Sequence, residues 1–275
     1  MKYSVIYSCW SDIGKCRQIN QDNFFCGGHL LKSADHEMEQ PVNGRLDPTK
    51  PTIVGVFDGM GGEERGEMAS LITANTASQT LIGKEPAKDL AAFCIKANER
   101  ICTFAANNGI SSMGTTAAAL VFSRKKVFLC NIGDSKIFRF SHGALEQISF
   151  DHLAPSAHGV KPPLSQSLGI PPSEFAIEPY FAQGECVDND MYLICSDGLT
   201  DMLSSDEISV ILRTTAFEDT VAKLMQQALD RGGKDNITII LCAIKKQKLS
   251  LLNWLYDHPA DAGRTINKNK PKTKN

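Results

Sequence analysis

The sequence predicts an α+β domain in which two packed sheets are covered on their outer faces by helices. Short apolar runs of strand character cluster between pairs of helical segments along the first 245 residues, and this order favours sheets that pack together with helices outside. Of the 275 residues, 42% are hydrophobic, which is enough for a sizeable core. No internal repeat or low-complexity block interrupts these 245 residues.

Each element is predicted from its local pattern. Leu90, Phe93 and Ala97 repeat at spacings of three and four, the period of a helix face, and the last helix stops at two glycines. In order, the sequence predicts strands at 3–10 and 23–28, a long polar loop at 29–51, a strand ending at 57, helices at 63–82 and 90–104, strands at 115–123 and 126–132, a hairpin of 136–140 with 144–148, a proline-rich irregular segment at 151–187, a strand at 191–196, a helix at 218–231 and a strand at 236–244.

Four aspartates border the apolar runs. They are Asp58 after residues 52–57, Asp134 after 127–133, Asp197 after 191–196 and Asp235 before 236–244. Because the runs read as buried strands, each acid should lie where a strand leaves the core. Carboxylates gathered at one sheet edge repel each other and take up protons unless cations neutralise them. Oxygen ligands select Mg²⁺ or Mn²⁺ over zinc or copper, so we predict a multinuclear metal hydrolase.

Glycines surround these acids. Asp58-Gly-Met-Gly-Gly62 places three glycines beside one carboxylate, which lets the backbone turn tightly and brings a carbonyl, that of Gly59, within reach of an ion. Ser196-Asp-Gly198 and Gly232-Gly-Lys-Asp-Asn236 repeat the arrangement. For any single aspartate the simpler interpretation is a turn or cap residue, and the Gly-Asp-Ser turn at 133–135 could hydrogen-bond its own backbone.

Taken together, the motifs resemble those of the metal-dependent serine/threonine protein phosphatases of type 2C, and Met60 resembles their bacterial branch. The seven motifs are Arg17-Gln-Ile-Asn-Gln-Asp22, Asp58-Gly-Met-Gly-Gly62, Gly114-Thr-Thr116, Gly133-Asp-Ser135, Asp151-His152, Ser196-Asp-Gly198 and Asp235-Asn236. They occur in the family's order, which makes them far more specific jointly than singly. The resemblance covers residues 1–245. It implies a four-layer α/β/β/α sandwich of two mainly antiparallel sheets, with a flap-like segment at about 151–187.

The resemblance also implies a set of metal ligands. Asp58 would bridge two Mn²⁺ or Mg²⁺ ions, Asp197 and Asp235 would complete the first site, and the Gly59 carbonyl would lie at the second. A third ion, present in the family's bacterial members, would use Asp134 together with Asp197. All of these donors are oxygen atoms, which suits hard divalent cations.

Two further catalytic roles follow from the resemblance. Asp22 would orient a metal-bound water, and Arg17 would bind the substrate phosphate through its fork of donors. An ordinary surface arginine is the alternative for Arg17. Met60 stands where eukaryotic members have a histidine proposed as the general acid, so no general acid is assigned. Gln21 replaces a glutamate found in many members, which should weaken the second ion's site.

Charge and cysteine usage bear on location and partners. Residues 245–275 carry a net charge of +6 and residues 1–244 carry −8, and an acidic catalytic body argues against a nucleic-acid enzyme. The nine cysteines lack paired C-x-x-C spacing, which suits a reducing cytoplasm. No apolar run approaches the ~20 residues of a membrane span. We therefore expect a soluble, cytoplasmic, monomeric protein without membrane or nucleic-acid partners.

Three functions remain open at this level. The first is hydrolysis of phosphoserine and phosphothreonine on proteins, opposing a serine/threonine protein kinase. The second is a pseudophosphatase or binding module, against which the intact Asp58, Asp197 and Asp235 weigh. The third is a small-molecule phosphoesterase. The extension 246–275 contains an apolar segment at 249–256 and a basic end predicted to be disordered, and the apolar segment could pack on its own domain or dock a partner.

Overall fold

The computed structural model of the chain describes residues 3–33, 38–60, 65–157 and 162–246. In chain order the elements are β1 (Tyr3–Asp12), β2 (Asp22–Phe25), β3 (Val42–Leu46), β4 (Ile53–Met60), α1 (Gly66–Gln79), α2 (Pro86–Asn108), β5 (Gly114–Thr115), β6 (Ala117–Ser123), β7 (Lys126–Ile132), β8 (Lys136–Ser141), β9 (Ala144–Gln147), β10 (Tyr180–Glu185), β11 (Met191–Cys195), α3 (Asp197–Thr200), α4 (Ser205–Thr214), α5 (Phe217–Asp230) and β12 (Ile237–Lys246).

The strands form two antiparallel sheets of six. The first has the order β3-β1-β12-β11-β8-β9, and the second has the order β10-β7-β6-β4-β2 with β5 paired to β4. In the first sheet β1 and β12 pair along their whole length, from Tyr3 opposite Lys246 to Asp12 opposite Ile237. Because β12 lies inside this sheet, eight of its ten residues are buried, as expected of an apolar central strand.

The two sheets pack face to face with helices on both outer sides, which confirms the predicted α/β/β/α sandwich. One core lies between the sheets and includes Tyr7, Leu120, Tyr192 and Ile240. A second core joins α1 and α2 to the second sheet, and a third joins α3, α4 and α5 to the first sheet. The predicted apolar face of α2 is buried, with Leu90 among its members.

Two strands lie where irregular structure was predicted, so both predictions were wrong at these places. Strand β3 (Val42–Leu46) falls inside the predicted loop 29–51 and pairs with β1. Strand β10 (Tyr180–Glu185) falls inside the segment 151–187 and pairs with β7. Both are edge strands with few buried side chains. A strand that buries few of its side chains needs no run of apolar residues, which is why the apolar pattern did not reveal either one.

Helix α4 was also absent from the predicted elements. It begins at a capping box, in which the Glu207 backbone N–H donates to the Ser204 hydroxyl and the Ser204 N–H donates to the Glu207 carboxylate. The Ser-x-x-Glu spacing is a recognised helix-start signal and could have predicted this helix.

Some predictions fall on residues that the structure does not describe. These are Gly61 and Gly62 of the second motif, the first two residues of the predicted helix 63–82, residues 34–37 of the predicted loop, residues 158–161 of the flap-like segment and the extension from residue 247 onward. Among the described residues, no helix has both the length and the apolar character needed to cross a bilayer.

Candidate metal and phosphate site

The acids predicted from the motifs surround a single cavity of about 880 Å³. Strand ends from both sheets supply them, because β4 and β7 belong to the second sheet while β11 and β12 belong to the first. The predicted site residues that line the cavity are Arg17, Asp58, Gly59, Asp134, Asp197 and Asp235. The sandwich thus brings six of the seven predicted side chains and backbone groups to one opening.

Asp58 is held by its backbone at the end of β4. The strand continues through it to Met60, so Asp58 lies inside the strand rather than after it. Its N–H donates to the Thr116 hydroxyl at 3.0 Å, and its carbonyl accepts from the Thr116 N–H and from the Thr115 hydroxyl, each at 2.9 Å. The two threonines of the Gly114-Thr-Thr116 motif therefore position Asp58. Their spacing in the motif was visible in the sequence, but this role was not.

Gly59 is required by close backbone packing. A Cβ atom at this position would lie 2.3 Å from the carbonyl oxygen of Gly66 and 2.4 Å from that of Gln21, so no other residue fits without a backbone shift. The Gly59 N–H donates to the Gln21 carbonyl at 3.1 Å. This packing fixes β4 against the start of α1 and against the chain that follows Arg17. The contact between the Gly59 carbonyl and a metal ion stays a prediction.

Asp22 lies behind the cavity rather than in its lining. It pairs directly with Asp58 across β2 and β4, it is 2% exposed, and its carboxylate accepts from the Ser196 hydroxyl at 2.7 Å. Burial raises the pKa of Asp22 to about 7, and the like charges of Asp197 and Asp235 add to the rise, while hydroxyl hydrogen bonds oppose it. The predicted orientation of a water by Asp22 stays a prediction.

The acids act on one another most strongly at Asp58. Burial raises the pKa of Asp58 well above its ordinary value, and the neighbouring charges of Asp22, Asp197, Asp134 and Asp235 raise it further. In this group Asp22 is buried and the other four acids are half-buried, and carboxylates with these mutual repulsions are stabilised either by protons or by cations.

Arg17 contacts one of the predicted metal ligands. Its guanidinium donates to the Asp235 carboxylate at 2.7 Å, and both side chains are partly exposed. This hydrogen bond raises the pKa of Arg17 above its ordinary value. Arg17 therefore stands at the rim of the acid cluster, with its remaining donors available to an anion in the cavity. Its phosphate contact stays a prediction.

Asn236 fixes the loop that carries Arg17. Its side-chain amide donates to the carbonyls of Ile13 at 2.9 Å and Ile19 at 3.0 Å, and its Oδ1 accepts from the Gln21 N–H at 2.8 Å. Asn236 follows Asp235 directly in the sequence. Asp235 supplies the carboxylate that contacts Arg17, and Asn236 supplies the hydrogen bonds that hold the Arg17 loop next to it. The motif identified Asp235-Asn236 as a site dipeptide, but only the contacts in the structure show that the asparagine holds the Arg17 loop in place.

The Asp151-His152 motif anchors the start of the predicted flap-like segment. Asp151 forms an ion pair with Lys136 and accepts from Gln147 at 2.7 Å. The His152 N–H donates to the carbonyl of Gly133, the residue before Asp134. Further along the segment, Pro162, Pro163 and Leu164 line the cavity. The segment is therefore tied to the site at its base and borders the opening.

The available donors suit hard divalent cations. Among the residues that the structure describes, the cavity lining offers carboxylates and backbone carbonyls and includes neither histidine nor cysteine, a donor set that suits hard cations. Within the described ranges, no three His, Cys, Asp or Glu side chains are grouped closely enough to enclose an ion by themselves. Mg²⁺ and similar ions keep several waters and use one or two carboxylates each, so a spread arrangement of acids fits them.

Comparison with known proteins points to one family. A model of the protein phosphatase 2C family matches residues 44–242. The serine/threonine protein phosphatase PstP of Mycobacterium tuberculosis is 28% identical over 257 residues, covering 86% of this chain and 45% of that protein, so the chain spans about half of that relative's length. The serine/threonine phosphatase stp of Listeria monocytogenes is 26% identical, covering 84% of this chain and 92% of that protein. The solved catalytic domain of PstP in complex with two manganese ions has a TM-score of 0.72 at 24% identity, covering 89% of this chain and 100% of that one, and is similar in fold.

Proposed function

The chain belongs to the protein phosphatase 2C family, and from this premise we propose that it hydrolyses phosphoserine and phosphothreonine on proteins in a metal-dependent reaction. The observation that carries the proposal is the acid cluster, in which Asp58, Asp134, Asp197 and Asp235 line one cavity with Arg17 at its rim. A catalyst of phosphate-ester hydrolysis needs cations to offset phosphoryl charge and a donor fork to hold the phosphate.

The proposed cofactor is Mn²⁺ or Mg²⁺, with two ions and a third in a further site. The residues that would hold the ions are Asp58, Gly59, Asp197 and Asp235, with Asp134 for the third ion. When bound, the ions would lower the pKa of water and offset the negative charge on the phosphoryl oxygens. The raised pKa of Asp58 supports this assignment, because burial and then the charges of neighbouring carboxylates both disfavour its unneutralised anion.

The chain's own residues would then bind and orient the substrate. Arg17 would direct its free guanidinium donors to the phosphate, while Asn236 keeps the arginine loop in place. Asp22, which is buried and lies opposite Asp58 across β2 and β4, would orient a water at the metal site. Met60 lines the cavity and has no proton to give, so the leaving group must be protonated by another donor.

The proposed setting is signalling in a reducing cytoplasm. All nine cysteines are free, and Cys94 and Cys130 remain unlinked with their sulfur atoms 3.2 Å apart in the core. The substrates would be phosphoproteins, and a serine/threonine protein kinase would be the opposing enzyme. We propose a monomer whose catalytic unit spans residues 1–245 and whose extension 246–275 either packs on that unit or docks a partner.

Hydrolysis of phosphopeptides by the purified protein tests the proposal. EDTA should abolish turnover, and Mn²⁺ or Mg²⁺ should restore it. The same measurement on nucleotides and sugar phosphates separates the small-molecule phosphoesterase, which would prefer those substrates. A protein that binds phosphopeptides without releasing phosphate at saturating Mn²⁺ would be the pseudophosphatase and would refute the proposed activity.

A further inference from the structure

The cavity has a second arginine that no motif accounts for. Arg65, immediately before α1, is exposed and lines the same cavity as the acid cluster. Arg17 and Arg65 are the cationic side chains among the described lining residues. Arg17 is held by Asp235, whereas no hydrogen bond or ion pair joins the Arg65 side chain to any other part of the chain that the structure describes. Arg65 is therefore a cation directed at the cavity without a partner of its own in the described structure.

The backbone of Arg65 is fixed although its side chain is exposed. Its φ of 69° lies in the left-handed region that non-glycine residues rarely adopt. Its carbonyl accepts from the N–H groups of Met68 at 3.0 Å and Ala69 at 3.3 Å, and so begins α1. The following residue, Gly66, packs directly against the backbone of Gly59. A strained residue held in this way beside a catalytic segment is typical of a functional position.

The surrounding charges define what Arg65 could bind. Arg17 stands beside the acid cluster, where the phosphate to be cleaved would bind, so Arg65 is left for a different anionic group. Glu67 also lines the cavity, and its negative charge would repel an acidic substrate chain. The positive charge of Arg65 would offset this repulsion. A guanidinium binds carboxylate and phosphate groups through paired donors.

We propose that Arg65 forms an anion subsite for a carboxylate or second phosphate that flanks the phosphorylated residue of the substrate. The subsite rests on the proposed phosphatase function and gives it a substrate class, namely acidic or multiply phosphorylated protein segments. Its place beside the Gly59–Gly66 contact would hold the flanking anion at a set distance from the metal site.

Three variants test the subsite. Arg65→Gly removes the cation and tolerates the positive φ, so the backbone is not strained further. Arg65→Lys keeps the charge and loses the paired donors. The matched control is Arg124→Gly, because Arg124 is also an exposed arginine with a positive φ, 57°, but lies in the β6–β7 turn outside the cavity lining.

Steady-state kinetics with Mn²⁺ should use phosphothreonine peptides that are neutral, carry glutamate, or carry a non-hydrolysable phosphonate at successive flanking positions. The wild type should prefer one anionic series over the neutral peptide by about 5- to 10-fold in kcat/KM, as expected of one charge-assisted contact. Arg65→Gly should abolish this preference mainly through KM, Arg65→Lys should keep part of it, and Arg124→Gly should keep all of it. Hydrolysis of p-nitrophenyl phosphate should stay within about twofold for every variant.

Two outcomes would overturn the subsite. One is equal wild-type kcat/KM for neutral and anionic peptides, and the other is an equal loss on both from Arg65→Gly. Fluorescence anisotropy with peptides in which the phosphothreonine itself is a phosphonate measures binding without turnover. Binding that depends on Arg65 in a protein that hydrolyses no peptide would reject the phosphatase function and retain the subsite, so the two failures are distinguishable.

Discussion

Asp22→Asn should stabilise the metal-free protein at neutral and alkaline pH. Asp22 is 2% exposed, and burial raises its pKa from the ordinary 3.8 to about 7. Because the folded-state pKa is the higher one, the folded protein holds this proton more tightly than the unfolded chain does. The stability from Asp22 is therefore fully present below about pH 4 and is lost as pH rises to about 7.

The magnitude follows from the size of the shift. One pKa unit corresponds to about 1.36 kcal/mol, so the wild type should lose on the order of 4 kcal/mol through Asp22 between about pH 4 and pH 8. Asparagine stays neutral over this range, and its carbonyl oxygen can still accept from the Ser196 hydroxyl that now bonds the aspartate. The free energy of unfolding of the variant therefore should not fall through this position as the pH rises.

Urea unfolding of EDTA-treated protein across this pH range measures the effect. The free energy of unfolding of Asp22→Asn minus that of the wild type should be near zero at about pH 4, rise through pH 5–7 and level off above. A difference that does not change with pH would refute the reasoning. Asp190→Asn is a control of opposite sign, because Asp190 is equally buried but pairs with Arg139 at 2.6 Å, so its neutralisation should destabilise the protein.

The remaining predictions concern catalysis and the extension. Asp58→Ala should lower phosphopeptide turnover by on the order of 10³-fold or more at saturating Mn²⁺ while folding as well as the wild type; near-normal kcat would remove Asp58 from the metal site. Arg17→Ala should mainly raise KM, with partial rescue by lysine, because a contact made equally in ground and transition states leaves kcat almost unchanged; a large fall in kcat at constant KM would contradict this role. If the apolar segment 249–256 docks a partner, deleting residues 249–275 should leave hydrolysis of small substrates intact and weaken capture of that partner in a salt-sensitive way; a lower melting temperature or aggregation of the truncated protein would instead show that the segment packs on the domain.

The sequence alone determined the fold class and the kind of site. Central strands such as β12 and periodic helices such as α2 leave strong apolar patterns, because most of their side chains or one full face must be buried. The acids beside glycine predicted oxygen ligands for hard cations, since this inference needs only residue types and their order. The edge strands β3 and β10 were not predictable in this way, because strands with few buried side chains do not require apolar residues.

The tertiary structure decided which groups meet and what charge they carry. Asp22 accepts from Ser196, 174 residues away, and Arg17 contacts Asp235, 218 residues away. The raised pKa of Asp22 arises from burial and from the charges of Asp197 at the start of α3 and Asp235 just before β12. Arg65 reaches the cavity because the start of α1 packs on Gly59. The pKa of a side chain and the contacts it makes depend on which groups surround it in space. The antiparallel pairing of strands that are distant in sequence decides which groups those are. Local sequence patterns carry no such distances.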